Sequence, residues 1–377
     1  EYARELDREI LALLTDILSY ADAGFNPDSP KQLGALLFEK LALPTDGIKK
    51  TSMGNYSTDE KTLSKLASAH PIIPKILEYR ACTKLKSTYV DKLPTLIDEN
   101  NRVHTTYAQA FTETGRLSSS DPNLQNIPVR SAAGKLIRSA FVARDNHYSI
   151  LSADYSQVEL RLMAALSGDP GMIAAFTSGR DIHAETASRI YGVPHEEVTA
   201  DMRRKAKTAN FGIIYGISVF GLAERMNVPR SEAKELIESY FASYPDVKRY
   251  MDEAVSKATQ SGYVETMFLR RRQLRDIQSS NRTVRGVAER NAINAPIQGS
   301  AADFMKLSMV EIRRRFIAEG IRSQMILQVH DEVIVDMLRE EQETVIRIVR
   351  EAMEGVAKLR VPLISEAGVG ENWLQAH

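Results

Sequence analysis

The stretch Ser152-Ala153-Asp154-Tyr155-Ser156-Gln157-Val158-Glu159-Leu160-Arg161 decides how this chain folds. Tyr148 to Ala153 is β-prone and mostly apolar, the run ends on an aspartate, and a helical pattern begins almost at once. A carboxylate at a strand terminus is held rigidly yet stays within reach of solvent and cations. Its counterpart lies far along the chain, where Met325-Ile326-Leu327-Gln328-Val329 and Val333-Ile334-Val335 flank His330-Asp331-Glu332 like the two arms of a hairpin. Either acidic site alone reads as a solvated turn. Paired on neighbouring strands, Asp154 and Asp331 make a hard-oxygen site suited to Mg²⁺.

Outward from these two blocks the texture changes. Residues 1–95 read as helices, with Tyr2, Leu6, Ile10, Leu13, Leu14 and Ile17 on one face. Ser29-Pro30-Lys31-Gln32 has the form of a capping box, with a serine cap, a proline at the first helical position and a reciprocal glutamine. Ser57-Thr58-Asp59-Glu60 repeats it. Pro44 to Tyr56, carrying Gly47, Gly54 and Asn55, reads as an exposed loop. A sheet begins with Val103 to Tyr107, followed by a turn-rich stretch from Ser118 to Pro128. Helical periodicity returns from 157 to 260, punctuated by Pro194, Pro229 and Pro245. Sheet at both ends with helices inserted predicts a split, mixed α/β architecture.

The 377 residues suffice for two or three subdomains. Hydrophobic residues at 43% and charged residues at 26% match ordinary folded chains and exclude a disordered or fibrous protein. No apolar run is long enough to predict a transmembrane helix. The single cysteine, Cys82, excludes an internal disulfide framework and cysteine-rich zinc sites, and suits a reducing cytoplasm. The chain starts without methionine and already inside a helical pattern, so a fragment of a longer protein is expected. Its 49 basic and 49 acidic residues cancel, so only local clustering can argue for a polyanionic partner.

Such clustering is present. Arg203, Lys207, Phe211 and Tyr215 recur every four residues, which places two cations and two aromatics on one helical stripe. A solvated basic end running into a core-facing aromatic end would give the same pattern. Asn210, Gly212 and Gly216, poor helix formers, favour close approach of a ligand or backbone. Arg290, Asn294 and Gln298 form a second stripe, with a disturbance expected at Pro296 and Gly299-Ser300-Ala301-Ala302 following; amides and an arginine on one face can donate to base edges. Arg270-Arg271-Arg272 with Arg275, and Arg80, Lys84 and Lys86, predict a phosphate track, balanced by acids such as Glu340-Glu341-Gln342-Glu343.

In this order the blocks resemble the three polymerase motifs of the family A DNA polymerases. The resemblance spans essentially the whole chain. It takes in Thr114-Gly115-Arg116-Leu117-Ser118-Ser119, Asp121-Pro122-Asn123-Leu124-Gln125-Asn126-Ile127-Pro128, and Gly370-Glu371-Asn372-Trp373 with Gln375-Ala376-His377. It implies a mixed α/β right-hand polymerase: a helical thumb at 1–95, an antiparallel-sheet palm at 96–175 and 300–377, and helical fingers at 176–299. The implied activity is template-directed addition of deoxynucleotides to a primer 3′-hydroxyl by two-metal phosphoryl transfer, with pyrophosphate release, in DNA replication and repair.

Carried over by residue, the resemblance makes Asp154 and Asp331 the carboxylates that bridge two Mg²⁺ ions, for which Mn²⁺ can substitute. The Tyr155 carbonyl becomes a further ligand and Glu332 a supporting acid. Arg203, Lys207, His183 and Gln157 would contact the incoming triphosphate, with Lys207 also a candidate general acid. Phe211 would pack beside sugar and base, Tyr215 near the template position, and Glu159 would be the steric gate against a ribose 2′-hydroxyl. Arg116, Arg290, Asn294 and Gln298 would read the minor groove, His330 would contact the primer-terminal backbone, and Arg80 and Lys84 would bind DNA. The implied partners are primer-template DNA and dNTPs, with no membrane; the implied protein is a monomer in the bacterial cytoplasm, associated with the nucleoid. Leu269 departs from the family's usual glycine, and Gln273 and Arg275 from its usual aromatic and proline, which leaves the turn geometry and duplex contact there open.

Two other readings compete. A single-subunit RNA polymerase shares the palm logic, but Glu159 with Phe211 disfavours it. A catalytically inactive primer-template-binding relative need not retain Asp154, Asp331, Arg203 and Lys207, all of which are present.

Overall fold

The computed structural model describes residues 1–128 and 131–377, which form two compact units. The first comprises Glu1–Thr105 and Ile127–Ile137. Its leading helix, Tyr2–Leu18, presents the anticipated face: Leu6 and Ile17 are buried, and Ile10, Leu13 and Leu14 pack against a core of Leu33, Leu37, Leu63, Ile72, Ile73 and Ile76. Pro44 to Tyr56 forms no helix.

The caps follow the sequence only in part. Ser29 accepts from the Gln32 N–H at 3.4 Å, with Pro30 opening the helix. The reciprocal half is absent, because the Gln32 side chain accepts from the Asn26 N–H at 2.7 Å. At the second site the cap is Asp59, which accepts from the Thr62 N–H at 2.7 Å, while Ser57 accepts from the Asp59 N–H at 3.2 Å. A charged carboxylate at the positive end of the helix dipole outcompetes a hydroxyl two residues earlier.

The second unit comprises Thr106–Asn126 and Arg138–His377. Its strands are β1 (Thr106–Ala108), β2 (Ser118–Ser120), β3 (Tyr148–Tyr155), β4 (Tyr263–Glu265), β5 (Arg271–Gln273), β6 (Gln324–Val329), β7 (Glu332–Leu338) and β8 (Ser365–Gly370). β1 pairs with β2 and β4 with β5; the central sheet has the order β6-β7-β3-β8 and is antiparallel throughout. Because side chains alternate along a strand, Leu151, Ala153, Tyr155, Val333, Val335 and Met337 enter the core and Ser152, Asp154 and Glu332 share the other face.

The helix Arg282–Ala318 runs unbroken through Pro296, against the expected disturbance. One lost backbone bond is outweighed by burial on both sides of it, from Ala292 and Ile293 to Ala302 and Phe304. That helix also crosses position 299, where the sequence reading ended the fingers. No helix among the described residues is long and apolar enough to cross a membrane.

Candidate functional site

β3 ends on Asp154 and Tyr155, and register sets Asp154 opposite Glu332 on β7 and Glu366 on β8. β6 and β7 are joined by His330 and Asp331 alone, with His330 in the left-handed region at φ 58°. This tight turn docks on β3, where the Tyr155 N–H donates to the Asp331 carbonyl at 3.1 Å. The two aspartates therefore converge at one end of the sheet, close enough to repel one another.

Their neighbour Glu332 has a different environment. It accepts from Ser152 Oγ at 2.6 Å and Trp373 Nε1 at 2.9 Å, with His377 Nδ1 at 3.4 Å and Arg138 Nη1 at 3.8 Å. Arg138 in turn stacks on the Trp373 ring, 4.1 Å from its centroid. Burial pushes the Glu332 carboxyl up, but the bonds from His377, Ser152 and Trp373 outweigh it and leave it below its usual range.

Asp154 lacks such relief. Its Oδ1 is buried and has no hydrogen-bond partner. Burial first, then the charges of Asp331 and Glu332, push its carboxyl up to about 8, and burial raises Asp331 as well. Among the described residues no group of three or more His, Cys, Asp or Glu side chains is arranged as a metal cage. What remains is a carboxylate pair with an orphaned oxygen, a donor set that fits a divalent cation left open to further oxygen ligands from substrate or water. Gln157, in the left-handed region at φ 53°, turns the chain from β3 into the helix Val158–Ser167.

Glu159, in the first turn of that helix, is 8% exposed and held from two sides. Arg116 Nη2 donates to it at 2.7 Å and the Tyr215 hydroxyl makes a short hydrogen bond to its other oxygen. Two expected site residues from separate blocks, Arg116 and Tyr215, thus hold the expected gate from either side.

The helix Ala200–Ile214 carries the four-residue stripe, with Tyr215 as its C-cap. Arg203 and Lys207 are exposed, and Phe211 and Tyr215 are half-buried. Asp181 takes both forks of Arg203, at 3.1 and 2.8 Å. His183 is buried behind them, its ring 5.7 Å from that of Phe211. Asn210 and Gly212 face the interior: Asn210 is fully buried against His183, and a Cβ on Gly212 would meet Ile217 at 3.0 Å. Gly216, at φ 66°, ends the stripe where a Cβ would lie 2.8 Å from Arg290 Cγ.

Arg290 is exposed, and Asn294 is half-buried with its Oδ1 unpartnered. In the first unit, Arg80 is half-buried and donates to the Thr58 carbonyl at 2.5 Å, whereas Lys84 is exposed.

A sequence profile described as DNA polymerase family A matches residues 1–375. The chain belongs to DNA polymerase family A. DNA polymerase I of Streptococcus pneumoniae is 48% identical over 377 residues, covering all of this chain and 43% of that protein. The Pseudomonas aeruginosa DNA polymerase I is 49% identical over 377 residues, covering all of this chain and 41% of its own length. The thermostable DNA polymerase I of Thermus aquaticus is 48% identical over 373 residues, covering 99% and 44%. Among solved structures, the POL domain of Pol1 from M. smegmatis, in complex with DNA primer-template and dNTP, superposes with a TM-score of 0.94 at 42% identity, covering all of this chain and 66% of that one. This family A chain thus spans less than half the length of these curated relatives.

Family A polymerases use divalent metal ions, and the orphaned Asp154 oxygen beside Asp331 suits that chemistry. Sequence reasoning missed Ser152, Arg138 and the Glu332-binding roles of Trp373 and His377, which reach the acid from three distant segments. The arginine run proves largely engaged within the family A fold: Arg270 with Asp303 at 2.9 Å, Arg271 with Glu265 at 2.9 Å, and Arg272 with Glu113. Strand alternation on β5 sends successive arginines to different acids.

Proposed function

We propose that this chain is the polymerase portion of a longer enzyme, copying a DNA template by adding deoxynucleotides to a primer 3′-hydroxyl with release of pyrophosphate, in DNA replication and repair. The observation that carries the reading is the convergence of Asp154 and Asp331 from opposite parts of the chain, with an acceptor oxygen left unfilled.

Held by Asp154, Asp331 and the Tyr155 carbonyl, two Mg²⁺ ions, replaceable by Mn²⁺, would acidify the primer hydroxyl and neutralise the triphosphate. Glu332, committed to Ser152 and Trp373, acts as support for the strand end rather than as a ligand. Arg203 is kept extended by Asp181 and exchanges that partner for phosphate; Lys207 adds charge to the leaving group and can supply its proton. Gln157 and the neutral His183 donate further hydrogen bonds to the triphosphate. Phe211 packs on the incoming sugar and base, and Tyr215 flanks the template position.

Glu159 is the gate against a 2′-hydroxyl, its bulk fixed by Arg116 and Tyr215. Arg116, Arg290, Asn294 and Gln298 donate to minor-groove acceptors present in every correct pair, so they sense pair geometry and ignore sequence. His330 contacts the primer-terminal backbone, and Lys84, with Arg80 in a lesser role, binds duplex phosphate. We assign the thumb to 1–95, the palm to 96–175 and 300–377, and the fingers to 176–299, in a monomer working on the bacterial chromosome in the cytoplasm.

Primer extension tests this directly. The parent should extend a labelled primer with Mg²⁺ and stop on chelation, and Asp331→Ala should lose about a thousandfold or more in rate while binding primer-template within about threefold of the parent. Extension by Asp331→Ala at the parent rate would refute the assignment.

A further inference from the structure

The β4–β5 hairpin turns through Met267, Phe268 and Leu269, three consecutive apolar side chains that are 39%, 45% and 73% exposed. Leu269 is also the strained residue of the turn: its φ is +64°, a left-handed conformation that a Cβ-bearing residue other than Asn or Asp rarely adopts. A glycine would take that turn without strain, and a polar residue would suit the solvent. The chain has neither. An apolar run facing solvent on strained backbone calls for a partner, since strain of this kind persists where the surface is used.

The anchoring of the hairpin says what that partner is. Arg270, next to Leu269, donates through Nη2 to the carbonyls of Thr114 and Gly299 at 2.8 and 2.9 Å and through Nε to Asp303 at 2.9 Å. The Met267 N–H donates to Ser300 Oγ at 2.9 Å, and the Phe268 ring meets Phe304 edge-on at 5.9 Å. Close approach is required here, for a Cβ on Gly299 would fall 2.5 Å from Thr266 Cγ2. Thr114 is two residues from Arg116, and Gly299 is adjacent to Gln298. The hairpin is therefore fastened at the edge of the proposed minor-groove readers.

We propose that Leu269, at the tip of this hairpin, is an apolar grip on the sugar edge of the product duplex, continuous with the donors Arg116 and Gln298. The inference rests on the polymerase reading above. It assigns to the tip a contribution to duplex affinity that carries no charge and therefore does not weaken with salt.

Two substitutions separate grip from strain. L269N tolerates the left-handed backbone but loses the apolar surface; L269M keeps the apolar surface and the strain. L269N should raise Tm by about 2 °C and weaken primer-template binding by about five- to tenfold, by the same factor at low and at physiological salt. L269M should restore the parent's affinity. Unchanged affinity in L269N, a loss that disappears at high salt, or a lowered Tm would each overturn the proposal. Failure of the parent itself to bind primer-template would instead count against the polymerase reading.

Discussion

Asp154 illustrates how a residue can be costly to the fold and yet suit a cation site. Register sets it between Glu332 and Glu366 on the flanking strands, with Asp331 at the adjoining turn, and directly opposed like charges destabilise a sheet. Its raised carboxyl and its unpartnered oxygen are two signs of the same unmet need for positive charge. Neutralising it should therefore stabilise the metal-free protein. Asp154→Asn is expected to raise Tm by about 3–6 °C in the presence of a chelator near pH 7.5, where the parent carries part of the charge penalty. Added Mg²⁺ should raise the parent's Tm by mass action and leave Asp154→Asn unmoved. Scanning fluorimetry on both proteins, with and without the metal, checks this; a chelated variant less stable than its parent would mean that the carboxylate is tied into the fold by interactions other than repulsion.

The helices Ile182–Tyr191 and Ala200–Ile214 are joined by a buried polar network. Asn210 Nδ2 lies 3.1 Å from His183 Nδ1, Thr186 Oγ1 lies 3.3 Å from Asn210 Oδ1, and the Tyr244 hydroxyl lies 3.1 Å from Thr186. Burial, aided by the nearby charges of Lys207 and Arg203 and opposed by Asp181, lowers the imidazole to about 4. A depressed folded pKa gives stability that is full above the unfolded value, near 6.5, and is lost as pH falls toward 4. Urea unfolding should show about 2–3 kcal/mol less stability at pH 4 than at pH 7 from this residue alone, and His183→Gln should flatten that slope; an equally steep loss in the variant would assign it elsewhere. These helices also mark the limit of what the sequence discloses. The β6–β7 hairpin was legible because two short apolar, β-prone runs around a polar break at His330-Asp331 leave few other readings, and the Arg203 stripe because its period matches a helix. The inward turn of Asn210 and Gly212 was not, since composition alone does not say whether a poor helix former faces a ligand or the core. Nor could spacing reveal that Arg138, Trp373 and His377 gather on Glu332, because packing between distant segments leaves no periodic trace.

Across the whole chain, 49 basic residues face 49 acidic ones, and many cations expected on a phosphate track are spent on neighbours within the fold. Arg270, Arg271 and Arg272 are ion-paired, Arg80 is turned to a backbone carbonyl, and Arg203 is paired with Asp181. Lys84, Lys207 and Arg290 are exposed, which suits the nucleic-acid contacts proposed for them. With no net charge, overall attraction of a polyanion is weak, and on the polymerase reading duplex affinity comes from local contacts together with uncharged ones. If about four phosphates are neutralised, the logarithm of the affinity should fall against the logarithm of salt concentration with a slope of about −3 to −4. That is a loss of about a hundredfold between 50 and 200 mM. Fluorescence anisotropy with labelled primer-template over that range measures the slope. A flat response would remove the phosphate contacts from the account, and a slope near −10 would show that the internal ion pairs open to bind DNA.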